Sequence, residues 1–123
     1  PMHQQTAALL GFERNLTVKG DGGEAEAKPD GESALQWVLD GELQEEEWAR
    51  IVPRRFVKEA ELPLDALAQV WCGEGQHEYG ELAVRSTLAL ALRLLGEEGD
   101  QQTLLERADT LWNTRDITRF SGV

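Results

Sequence analysis

The chain has 123 residues, 41% hydrophobic and 28% charged, which suits one soluble globular domain with a core of ordinary size and excludes a disordered chain. Its net charge of −11 and pI of about 4.5 argue against this segment alone as a polyanion binder, because nucleic-acid affinity rests on Lys and Arg neutralising phosphates. No run approaches the roughly 18 apolar residues of a membrane span, no signal-peptide pattern opens the chain, and the single cysteine, Cys72, excludes an internal disulfide and fits a reducing compartment such as the cytoplasm.

The opening, PMHQQTAALLGF, places Pro before Met and reads as helix over residues 2–10, with Ala7, Leu10 and His3 on one side and Gly11 as the stop. Such a start is expected after a cleavage scar, or where a chain begins inside a larger protein. RNLTVKG then alternates apolar and polar at Leu16 and Val18, the period of a half-buried strand.

The next stretch, VKGDGGEAEAKPD, carries Gly20, Gly22 and Gly23 just after that apolar run, where an α/β protein would place a phosphate loop. Asp21, Glu24, Glu26 and Asp30 weigh against Lys28, with Lys19 just before, and four carboxylates repel a phosphate unless a divalent cation lies between. A direct phosphate cradle is therefore a poor reading. ALQWVLDG reads as a second strand with Leu35, Trp37 and Leu39 pointing one way and Asp40-Gly41 as turn chemistry. From Gly20 to Trp48 ten acidic residues stand against one lysine, a net −9 that is most of the chain's charge.

Within that run, GELQEEEW lacks the spacing of a calcium loop and is expected to be a solvated helix start, with Glu45, Glu46 and Glu47 favoured by the helix dipole. PRRFVK interrupts the acidity with Arg54, Arg55 and Lys58, a candidate grip for a phosphate or nucleic-acid backbone. Ion pairs with the neighbouring acidic face are its ordinary role. ELPLDALAQVW predicts a helix with Pro63 near its first turn and Leu64, Leu67 and Trp71 on one stripe, closed by CGEG. The longest helix is expected from His77 to Leu95, ended by Gly96 and Gly99; its uncharged centre, STLALAL, predicts burial nearly all round. The last helix, DQQTLLERADTLWN, takes Asp100 as N-cap and places Leu104, Leu105, Ala108, Leu111 and Trp112 on one face.

Two short strands are too few for a sheet with a core of its own. The long helix also has more apolar surface than its neighbours would cover, so a partner is expected: more chain upstream, or another subunit. Cys72 and His77 carry no local signature of a nucleophile and base, and Cys is ordinarily a small buried hydrophobe. HEYGE is no zinc motif, because Glu81 stands where the second His would be needed. The four tryptophans, Trp37, Trp48, Trp71 and Trp112, are expected in the core or an interface.

Taken in order, VKGDGGEAEAKPD, DGELQEEEW, PRR, LAQVWCGEGQHEYGELAVRSTLALALRLLG and LERADTLWNTRD resemble the anthranilate phosphoribosyltransferase-like family, in particular its paralogous glycosyl transferase family branch. The resemblance covers about residues 5 to 116 and rests on many moderate matches. It implies the C-terminal part of a phosphoribosyltransferase/nucleoside-phosphorylase-like α/β domain, with strands and acidic loop over residues 1–60 and a helical part over 61–116. The diphosphate-binding glycine loop and the helical domain that supplies the homodimer contact would then lie upstream.

Laid on the family's GLDE-type segment, Gly23 matches the Gly, Glu24 the Leu, Ala25 the Asp and Glu26 the Glu. The resemblance thus implies Gly20 and Gly23 near the diphosphate and Glu24 and Glu26 as what remains of the Mg²⁺ ligands. Ala25 offers no oxygen to a hard cation. Mg²⁺ and phosphoribosyl pyrophosphate are implied for the intact protein only, and this chain is not expected to catalyse alone. The paralogous branch is also associated with nucleic-acid binding by a dimer, for which Arg54, Arg55 and Lys58 are the local candidates. The expected partners are therefore the upstream part of the same protein or another subunit, with nucleic acid disfavoured by the acidity and no membrane.

Overall fold

Asp40 and Gly41 form the turn on which the sheet is built. Both have positive φ, 52° and 79°, the conformation of a two-residue type I′ hairpin, which Asp-Gly adopts with little strain. The computed structural model describes residues 2–19, 25–53 and 62–122. Within them the order is α1 (Met2–Leu9), β1 (Arg14–Thr17), β2 (Ser33–Leu39), β3 (Glu42–Trp48), α2 (Leu64–Cys72), α3 (Glu78–Leu94) and α4 (Gln101–Asn113). The fold is mixed α/β: a three-stranded antiparallel sheet, ordered β1-β2-β3, with four helices.

The hairpin corrects one expectation from sequence. GELQEEEW is not a helix start but β3, paired in register with β2 so that Leu39 faces Glu42, Trp37 faces Gln44 and Leu35 faces Glu46. The turn returns the chain along β2, and pairing to a buried strand overrides the weak helical preference of an acidic run. The sheet consequently has three strands rather than two.

Strand alternation in β2 places Leu35 and Trp37 on one face, both buried against Ala89 and Leu90 of α3 and Leu104 and Ala108 of α4. Full burial of such side chains stabilises by about 1.5–3 kcal/mol each. Val38 points to the other face and is also fully buried. There α1 crosses the strands, and the buried Gln4 amide donates to the carbonyls of Trp37 (2.8 Å) and Gln44 (3.0 Å). The buried residues of α1 are Gln4 and Ala7, whereas His3 and Leu10 are exposed, so the helix is rotated from the expected face.

Correction is needed for α3 as well. It buries Ala83, Ser86, Ala89 and Leu90 but leaves Val84 and Leu95 exposed, so it is amphipathic rather than apolar all round. The small residues along its buried stripe let α4 pack closely, and Leu88, Leu92 and Leu94 pack half-buried against the core at the edges of that stripe. On α4 the buried positions are Leu104, Ala108 and Trp112, with Leu105 half-buried and Leu111 exposed. Asp100 caps this helix as expected, its carboxylate accepting from the Thr103 N–H at 2.9 Å. The described helices are too short or too polar to cross a membrane.

Candidate functional site

Residues 25–33 run along α3 as packed structure. Ala27 is buried in the core and its N–H donates to Thr87 Oγ1 at 3.2 Å; the Lys28 N–H donates to Ser33 Oγ. Pro29 is fully buried, and its carbonyl accepts from the N–H groups of Ile51 (2.9 Å) and Val52 (3.2 Å). These bonds fix the backbone just beyond Glu26, and Ala25 and Glu26 line a cavity of about 590 Å³ together with His77, Tyr79, Gly80, Thr87 and Leu88.

A second cavity, about 370 Å³, adjoins the first at Leu62, His77, Gly80 and Val84. Its other walls are Leu64, Leu67, Ala68, Val70 and Trp71 of the α2 region and Phe120 of the C-terminal segment. No residue of α2 is buried, although one side of it is apolar. The cavity is thus the space between a half-covered helix and α3.

The C-terminal segment holds α2 in place. Arg115 donates from Nε to the Trp71 carbonyl (2.7 Å), from Nη2 to the Val70 carbonyl (3.1 Å) and from Nη1 to the Trp112 carbonyl (2.7 Å). One guanidinium therefore satisfies open carbonyls at the ends of both α2 and α4, where the helix dipoles favour a cation. Its Cζ lies 3.8 Å from the Trp112 ring centroid. Trp71 packs edge-on to Trp112 and Phe120, and its indole N–H donates to the Asp116 carbonyl at 2.7 Å.

His77 is the N-cap of α3. Its Nδ1 accepts from the Gly80 N–H at 2.9 Å, and Glu81 reaches back to the His77 N–H at 3.3 Å. A Cβ at Gly80 would lie 2.7 Å from Nδ1, so glycine is what allows this cap. Cys72 Sγ contacts the Gln69 carbonyl of its own helix at 3.4 Å. Each side chain engages its own helix, and Cys72 is half-buried rather than the buried hydrophobe expected from sequence.

Of the residues expected near a diphosphate or a cation, Glu26 is placed at a cavity wall. Gly20, Gly23, Glu24, Arg54, Arg55 and Lys58 lie outside the described residues. Among the described residues no cluster of three or more His, Cys, Asp or Glu side chains is arranged to hold a metal ion. Ala25 presents a methyl group beside Glu26, so this pair supplies one carboxylate where a hard cation prefers several oxygens.

Two features were not foreseen from sequence. One is Phe120 as a cavity wall, for which an isolated aromatic near the chain end gave no pattern. The other is Glu46, which accepts from the indole N–H groups of Trp37 (3.2 Å) and Trp48 (2.9 Å) and pairs with Arg93 at 3.2 Å. No protein-family model matches the chain, and no curated protein matches it.

Proposed function

We propose that this chain is the C-terminal segment of a phosphoribosyltransferase-like glycosyltransferase, contributing scaffold and a degenerate edge of the active site rather than a complete catalytic centre. The observation that supports this most is that Ala25 and Glu26, the positions aligned with the family's metal-binding pair, line one cavity beside the start of α3. The ordered sequence resemblance supports it further. In the family reaction an amine displaces pyrophosphate from the ribose C1, and the protein acts by positioning and charge neutralisation. Here Glu26 would orient toward a diphosphate-bound Mg²⁺ in the intact protein, while Ala25 contributes shape alone.

Two titrations test the reading. Calorimetry with phosphoribosyl pyrophosphate and Mg²⁺ is expected to show no micromolar binding by this chain, and such binding would overturn its incompleteness. The variant Ala25→Asp restores the carboxylate pair and is expected to strengthen Mn²⁺ binding, read by water-proton relaxation. An unchanged affinity would remove the alignment on which the assignment rests.

A second reading is a non-catalytic dimeric module that binds protein or nucleic acid. Leu9, Leu10 and Phe12 stand exposed together at the end of α1, which favours a protein partner over a nucleic acid. The upstream part of the same protein, or another subunit, would cover them. A mobility shift at low salt that disappears in Arg54→Ala/Arg55→Ala would instead support nucleic acid.

A further inference from the structure

We propose that the 370 Å³ cavity between α2 and α3 is a binding site for a small, uncharged, largely aromatic molecule. This cavity shares Leu62, His77, Gly80 and Val84 with the one that Glu26 borders, but Leu64, Leu67, Trp71 and Phe120 line it alone, and the proposal rests on them rather than on the phosphoribosyltransferase reading. The volume lies in the range of small-molecule pockets, about 300–1,000 Å³. Its walls are Leu64 and Leu67 on one side, Val84 and His77 on the other, and the rings of Trp71 and Phe120 at the C-terminal end; the His77 Nδ1 is engaged by the Gly80 N–H.

Polarity and charge decide the class of ligand. The Trp71 indole N–H is taken by the Asp116 carbonyl, and the Arg115 guanidinium is spent on three helix carbonyls. Among the described residues, the guanidinium packed against Trp71 is therefore not available to an incoming anion. Asp65 and Glu78 flank the lining residues in sequence, and the chain carries −11 in total, so a carboxylate or phosphate would be repelled. A charged ligand would also lose hydration without compensation on the apolar walls. Trp71 and Phe120 stand edge-to-face, with centroids 5.3 Å apart, and offer ring faces and edges to an aromatic guest.

The test uses the full chain and phenylnaphthylamine, an uncharged dye that fluoresces only out of water. Saturable binding is expected, with tryptophan-to-dye energy transfer that is reduced in Trp71→Phe but not abolished, since Trp112 lies 5.8 Å from Trp71. Val84→Trp fills the cavity from α3 and Leu67→Trp fills it from α2. Each is expected to weaken the dye by about tenfold or more while far-ultraviolet circular dichroism is unchanged. Using both guards against one variant failing to fold. Phe120→Ala, which opens the mouth, is expected to speed dissociation. An anionic analogue, the naphthylamine sulfonate, is expected to bind more weakly than the neutral dye at low salt. The proposal is overturned if no saturable binding occurs, if both filling variants bind as well as the parent, or if the sulfonate binds better. It is equally overturned if sedimentation shows a dimer that both filling variants abolish, which would give the cavity to a second copy.

Discussion

Asp100 and Glu46 show two ways in which a single carboxylate supports this fold. Asp100 is fully exposed, and its carboxyl is held below the ordinary value of 3.8 chiefly by the Thr103 backbone N–H, with the Thr103 hydroxyl adding to it. A folded-state value below the unfolded one means that the contribution is present above the unfolded value and is lost as pH falls through the folded one. Asp100→Asn keeps a capping oxygen but cannot titrate. In urea titrations the parent is therefore expected to be the more stable protein above about pH 5, with the gap closing as pH falls below 3.8. A gap that stays constant with pH would show that the charge does not contribute. Glu46 is different, because it is the shared acceptor of two indoles and the ion-pair partner of Arg93, whose guanidinium also lies over the Trp37 ring. Glu46→Leu leaves both indole N–H groups and the half-buried guanidinium without that acceptor, and is expected to cost about 3 kcal/mol in urea unfolding. Glu46→Gln retains one good acceptor oxygen and is expected to cost less than half as much.

Among the described helices, α2 is the one with no buried residue, and its attachment depends on Arg115 and the aromatic group around Trp71. Arg115→Ala removes three hydrogen bonds and a ring contact, and is expected to cost about 2 kcal/mol; Arg115→Lys recovers less than half, since a point charge cannot fork between two helix ends. Hydrogen exchange places the effect: protection in α2 should collapse while that of β2 falls only with global stability. Uniform loss across the chain would mean that α2 is integral to the core. Little of this attachment was legible in the sequence. The helices themselves were, because capping signals such as Asp100 and stripes such as Leu104, Ala108 and Trp112 are local. The β2 turn was legible too, as Asp40-Gly41 has few other uses. What could not be read locally was the consequence of that turn, which converts Glu42–Trp48 from an apparent helix start into a strand. Nor did charge-free composition separate the buried face of α3 at Ala83, Ser86 and Leu90 from its outward face at Val84. Glu26 could be singled out in the sequence, but the cavity it borders could not, because that depends on where α3 passes residues 25–33.

At the scale of the whole molecule the dominant electrostatic quantity is the charge of −11, and its effect on stability can be separated from that of the ion pairs by salt. Compacting the chain brings like charges together, and Glu42, Glu45 and Glu47 stand exposed on a single seven-residue strand, β3. Against this stand Arg14–Asp40, Arg85–Asp109, Arg93–Glu46 and Arg107–Glu97. Arg14–Asp40 and Arg107–Glu97 are well exposed, and exposed pairs contribute only about 0–1 kcal/mol each. Salt screens both kinds of interaction, with a Debye length of about 30 Å at 0.01 M and about 10 Å at 0.1 M. The repulsion acts over longer distances than the ion pairs do, so it is screened first. The urea midpoint is therefore expected to rise as sodium chloride goes from about 0.01 M to about 0.2 M, and then to level off, with an unchanged m value. A falling midpoint would mean that ion pairs, these four among them, outweigh the repulsion. Potassium chloride should give the same curve, because screening depends on ionic strength alone. A larger rise with magnesium chloride at matched ionic strength would reveal cation binding to the carboxylates rather than screening, and Glu26→Gln would then locate how much of it belongs to the loop beside α3.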